Sequence, residues 1–209
     1  MRKAAITLAA LAVLGGLFWW TVQSSLAEPY VVDSDLVSDW EVALRGGPAR
    51  GAGLLVLETA DQLRAELFQQ IFTRTMESMV SPPWASVPLV LNAEYADSLR
   101  SALSPEDLLR AAEESGLSDA VPAPICIGVI RGEGAQSTRQ LYYAIFEAPE
   151  VGRFRETLAR RYAEAGGTAA FEPGGFPLVM PLAASDGNFA SWWPLDVSAA
   201  DCLAPLVAQ

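Results

Sequence analysis

The chain has 209 residues, with 25 carboxylates against 14 basic groups and no histidine. Without imidazole it lacks the commonest general base near neutral pH and the commonest zinc and copper ligand, which excludes Ser-His-Asp and Cys-His catalysis, histidine-ligated haem and histidine-containing zinc sites. A formal net charge of −11 repels phosphate backbones, so nucleic acid is not an expected partner, and no motif implies a metal or a cofactor.

Arg2 and Lys3 precede nineteen residues without a charge, 4–22. A run of that length can cross the hydrocarbon core as a helix, and leading cations favour the orientation that exports everything after it. Residues 1–22 are therefore expected to be an N-terminal hydrophobic helix, either a signal-anchor or a signal peptide. Trp19 and Trp20, at the outer end of the run, suit an anchor seated at a membrane interface. Ser25-Leu26-Ala27 places small residues where a signal peptidase would cut before Glu28. The anchor reading puts the protein in the bacterial inner membrane with its domain facing the periplasm. Cleavage near Ala27 would instead leave a soluble periplasmic domain. Lys3 is the only lysine beside thirteen arginines, a usage that fits a GC-rich bacterial genome. All 25 acidic residues but only 12 basic ones lie beyond residue 27, so the exported part carries about −13.

Residues 23–52 read as a juxtamembrane linker and a short helix over 34–45, where Leu36, Val37, Trp40 and Leu44 share a face and Gly46-Gly47-Pro48 ends the pattern. An exported domain, 53–209, follows. Residues 53–58 form a continuous apolar run of strand length. Thr59 with Gln62 reads as a capping box for a helix striped with Leu63, Leu67 and Ile71 and, beside them, Phe68, Phe72, Met76 and Met79, stopped at Ser81-Pro82-Pro83. Residues 87–91 are a second strand, and helical spacing returns around Tyr95, Leu99 and Leu103. Ser104-Pro105-Glu106-Asp107 starts a helix with a cap, a proline at its first position and acids at the positive end of the dipole. Residues 125–130 and 140–147 read as a hairpin, 149–165 as a helix closed by Gly166-Gly167, and 176–182 as an edge strand interrupted by prolines. Ser198 to Asp201 would cap a final helix carrying Leu203 and Leu206.

Strand, helix, strand, helix, strand, strand, helix calls for an α/β fold, a single layered domain with a central mixed sheet. That order, with Pro124 just before the third strand, is similar to the thioredoxin fold over residues 53–166. The resemblance implies architecture alone, because Glu58-Thr59-Ala60-Asp61 stands where that family carries its paired cysteines. A ferredoxin-like α+β sandwich with 92–121 inserted is the alternative.

Chemistry-bearing clusters are few. Gly132-Glu133-Gly134 resembles part of a phosphate loop but leads into a strand, so a hairpin turn is the simpler reading. Asp186-Gly187-Asn188 resembles a calcium-loop fragment without the later ligands, which again leaves a turn. Glu58 and Asp61 lie at a strand end where α/β sheets place ligands, although the capping pattern there gives them a structural use. Trp84, Trp192 and Trp193 sit in proline-containing loops. They are candidate partner-binding residues, or rings that roof the core. Cys126 and Cys202, 76 positions apart, are a possible disulfide in an oxidising periplasm, or Cys126 is a buried thiol. The expected function is a non-catalytic extracytoplasmic binding or accessory domain, held to the membrane by its N-terminal helix and acting on another envelope or membrane protein. The alternative is a carboxylate-dependent exported enzyme, a hydrolase with its site near Glu58 and Asp61.

Overall fold

The computed structural model describes residues 13–16, 24–45, 53–132 and 139–209. Within them the apolar runs become strands β1 (Tyr30–Val32), β2 (Trp40–Leu44), β3 (Gly53–Thr59), β4 (Ser86–Leu91), β5 (Ala123–Gly132), β6 (Arg139–Glu147), β7 (Leu178–Ala184) and β8 (Cys202–Ala208). The amphipathic stretches become helices α1 (Asp61–Thr75), α2 (Asn92–Asp97), α3 (Pro105–Glu114) and α4 (Pro149–Glu164). The fold is mixed α/β with two sheets. One is five-stranded in the order β1-β8-β5-β6-β7, and the other is three-stranded in the order β2-β3-β4. Only β1 and β8 pair in parallel, which makes the larger sheet mixed.

Period-two alternation along β6 explains how the larger sheet is covered on both faces. Tyr142, Ala144 and Phe146 enter the main core with Leu55, Leu63, Leu67, Val87, Leu108 and Phe154, drawn from both sheets and three helices. Leu141, Tyr143 and Ile145 face the other way, into a smaller cluster with Cys126, Val179, Phe189 and Leu195. Each exposed sheet edge beside α1 is blocked. The Gln70 amide accepts from Val31 N–H (3.3 Å) and donates to Val31 O (2.7 Å) on β1, and Val80 exchanges two 2.9 Å backbone bonds with Ala184 on β7. Such caps prevent strand-to-strand aggregation.

Several expectations need correcting. Residues 34–45 are not a helix: Ser34–Val37 is one 3-10 turn, capped by Asp33 Oδ1 accepting from Asp35 N–H, and Trp40 then opens β2 against β3. Leu36, Val37, Trp40 and Leu44 do fall at helical spacing, but strand pairing and burial of the Trp40 ring against Phe146 (5.2 Å between centroids) override it. The segment 23–52 is accordingly no simple linker, because β1 and β2 are members of the two sheets. Thr59 does not cap α1. It ends β3 with its hydroxyl donating to Leu36 O, and Ala60 occupies the cap position without a side-chain bond. α1 stops at Thr75 with Met76 in the left-handed region (φ 55°), well before the prolines. The C-terminal helix is a single 3-10 turn, Ala199–Asp201. Leu203 and Leu206 lie on β8, which inserts between β1 and β5. The expected cap at Ser104 does form, with Ser104 and Asp107 bonded reciprocally. Finally, β3 and β4 flank α1 yet pair directly and antiparallel. A thioredoxin or ferredoxin-like unit joins parallel strands through its helix, so neither topology is reproduced. The hydrophobic helix expected over residues 1–22 lies outside the described residues except for 13–16. Among the described residues, no helix is long and apolar enough to cross a membrane.

Residues 24–27 make one helical turn that packs on the domain. Leu26 is buried, and Arg74 in the last turn of α1 donates to Ser25 O (3.2 Å), Glu28 O (2.6 Å) and Pro29 O (2.8 Å). The same guanidinium lies 3.9 Å from the centre of the Tyr30 ring.

Candidate binding cleft

A cleft of about 330 Å³ opens where β3 hands over to α1, lined by Arg45, Glu58, Thr59, Asp61, Trp84 and Ser86 among others. Its floor is made by pairing. Glu58 sits opposite Ser86 across β3 and β4, and Thr59 N–H donates to Ala85 O at 3.0 Å. Arg45 follows β2, with its amide on Leu54 O, and its side chain runs back along β3 to grip Glu58 through Nε and Nη2. That side-on fork donates to both carboxylate oxygens, and the Glu58 carboxylate holds the Arg45 pKa above its ordinary value. Asp61 is open to solvent, and among the described residues its ion pair is a 3.7 Å approach to Arg64. Arg64 also donates to Ser81 Oγ at 2.6 Å, fastening to α1 the loop that carries Trp84. The indole of Trp84 is half-buried at the rim.

The structure thus brings Trp84 together with Glu58 and Asp61. It does not bring Trp192 and Trp193 there. Both are half-buried against the smaller cluster on the far face of the larger sheet. Arg139 stacks 4.5 Å over the Trp192 ring and bonds Asp186 Oδ2 (2.7 Å) and Ser191 Oγ (2.7 Å). Asp186 also accepts from Asn188 N–H (3.1 Å), which makes Asp186-Gly187-Asn188 a turn with Gly187 at φ 66°. Burial pushes the Asp186 carboxyl up, but the Asn188 amide and the Arg139 guanidinium outweigh it and leave its pKa below the usual carboxylate value. Among the described residues, no group of three acidic or sulfur side chains is placed to hold a metal. Gly132 pairs with Arg139 across the β5–β6 hairpin, while Glu133 and Gly134 lie outside the described residues. Cys126 on β5 and Cys202 at the start of β8 are joined as a disulfide, with Cα atoms 5.7 Å apart.

Sequence reasoning missed Arg45 and Ser86. Both reach the cleft through the β2-β3-β4 pairing, and nothing local marks them. Protein-family models, curated proteins and solved structures were all compared with the chain, and none matches it.

Proposed function

We propose that the protein is a non-catalytic binding or accessory domain, tethered to the bacterial inner membrane on its periplasmic side, that engages a segment of another envelope or membrane protein through the Trp84 cleft. The observation that carries the reading is the state of Glu58. The carboxylate best placed for acid–base chemistry is occupied on both oxygens by Arg45, whereas the Asp61 carboxylate stays open to solvent beside the half-buried Trp84. With Glu58 neutralised by Arg45 and Asp61 approached by Arg64 only at 3.7 Å, the exposed Asp61 favours a lysine or arginine of the partner, laid over the indole with Asp61 as counter-charge. Trp192 and Trp193 are proposed as a secondary contact, since both residues are half-buried rather than enclosed. Tethering is supported by the packing of residues 24–29 on α1. Cleavage after Ala27 would discard the buried Leu26 and the Ser25 carbonyl that Arg74 binds.

The test is site-specific photo-cross-linking in native membranes, with the reactive residue at position 84, 192 or 193 and a control at Glu106, exposed on α3. One discrete adduct at 84, none at 106, and loss of co-purification in Trp84→Ala without a change in Tm are expected. A chain that gives no adduct at any tryptophan position refutes the reading. The solvent-open Asp61 in the same cleft favours a second reading, a carboxylate-dependent hydrolase. Turnover in a substrate screen that disappears in Glu58→Gln would replace the binding role with that one.

A further inference from the structure

The last turn of α1 has two sides, and both point to the same surroundings. On one side Arg74 fixes the carbonyls of Ser25, Glu28 and Pro29, so residues 25–29 are held within one side-chain length of the helix end. On the other side Phe72 is 41% exposed and Met76 78% exposed. Phe68 stacks on Phe72 with 6.4 Å between centroids, which extends the apolar strip back along the helix. Phe72 and Met76 are thus large apolar side chains left in solvent at this end of the helix.

We propose that this end of α1 is the face the domain rests on the lipid bilayer, with Phe72 and Met76 entering the headgroup layer next to the emerging chain. The inference rests on the anchor reading of residues 4–22 and adds an orientation to it. The place where the apolar segment ends argues for lipid as the occupant, because a chain that crosses the bilayer at residue 22 brings its next folded element to the surface. The segment itself does not cover the patch with its described part, since Val13 and Leu14 are both more than 60% exposed. The lipid is zwitterionic rather than anionic. Arg74 is engaged by carbonyls, and Glu28 and Glu77 lie at the same end of the domain. Binding is by apolar insertion, which large exposed side chains at a helix end provide.

The test uses the full chain in phosphatidylcholine vesicles, nitroxide-labelled at Phe72→Cys, Met76→Cys or, as control, Glu106→Cys; the native cysteines are bonded to each other and take no label. The expected ratio of oxygen to nickel-chelate accessibility is at least about threefold higher at 72 and 76 than at 106, as for side chains within the interface. Water-like values at 72 and 76 in protein that floats with the vesicles overturn the orientation and leave the anchor intact. Spin–spin broadening that disappears on lipid dilution assigns the patch to a second copy and likewise overturns it. A chain that fails to float removes the anchor, and this face with it.

Discussion

Replacing Arg155 by methionine should be among the most damaging single changes in the domain. Arg155 is 2% exposed on α4, yet it holds together four parts of the chain. Its Nη1 donates to Leu89 O (3.2 Å) and Glu94 Oε2 (3.0 Å), and its Nη2 to Glu94 Oε1 (2.7 Å) and Glu172 O (2.7 Å). The guanidinium also lies between the rings of Phe171 and Phe176, 4.6 and 4.5 Å from their centres. Removing one partner of a buried pair leaves the other charge uncompensated, at a cost of about 3–5 kcal/mol. The same penalty applies to Glu94→Leu, which strands the guanidinium. Replacing both together should cost far less than the sum, because an apolar pair of similar volume is often neutral. Some loss persists in the double variant, since Glu94 Oε2 also accepts from Leu91 N–H at the start of α2. Urea unfolding of the full chain in detergent, followed by tryptophan fluorescence, measures the cycle. Expected is a coupling energy of at least about 2 kcal/mol, a large share of a typical domain stability. An Arg155→Met loss below about 1 kcal/mol, or strictly additive single changes, would refute the claim that this pair joins the elements.

Two further expectations follow from single residues. Arg74→Ala removes three bonds to backbone carbonyls, of which charged donors contribute about 1.5–3 kcal/mol each when buried and less when exposed. Hydrogen exchange over residues 24–32 should therefore quicken by roughly two orders of magnitude while β5 and β6 are unchanged, and equal exchange in variant and parent would show that the segment is held by other means. Burial pushes the phenols of Tyr142 and Tyr143 up to about 12, helped by Glu77 and Asp201 respectively. Both raised values favour the neutral folded form, so their contribution is complete below the unfolded value near 10 and is lost as pH rises through about 12. Absorbance at 295 nm should show these two tyrosines ionising together with unfolding, and full titration of all five near pH 10 in folded protein would contradict the burial.

What could be read in advance, and what could not, divides along sequence distance. The strand expected at 53–58, the start of α3 at Ser104-Pro105 and the β5–β6 hairpin are each encoded by neighbouring residues, and each forms there, the strand running one residue further to Thr59. Errors arose where pairing across the chain decides. Leu36 to Leu44 has helical spacing but is drawn into β2 by β3, and Leu203 and Leu206 are claimed by the slot between β1 and β5. A window of twelve residues cannot hold that information, because the competing free energy comes from partners far away in sequence. The cleft shows the same division. Glu58, Asp61 and Trp84 were candidates by residue type and position, whereas Arg45, which decides how Glu58 can behave, is recruited by a register that only the folded sheet defines. Arg74 and Arg155 escaped notice for a related reason. On a helical wheel they are ordinary charged positions, and their carbonyl partners leave no mark in the sequence.

The attachments at the N-terminal end go beyond what strand pairing alone supplies. β1 is only three residues long and pairs with a single strand, so ladder bonds alone would hold it weakly against a pull from the direction of residue 24. Arg74 takes hold of the chain before β1 begins, and Gln70 takes both backbone groups of Val31 within it. Beyond β1, force passes to β8, whose first residue is covalently joined to Cys126 on the central strand β5. In the chain-entropy model a bridge closing a loop of 76 residues stabilises the fold by about 4 kcal/mol, a gain independent of where tension is applied. Three kinds of restraint thus act in series between residue 24 and the middle of the larger sheet. Residues 24–32 are thus fixed by side-chain bonds, a short ladder and a covalent cross-link behind it, the packing on which the tethered reading proposed above relies.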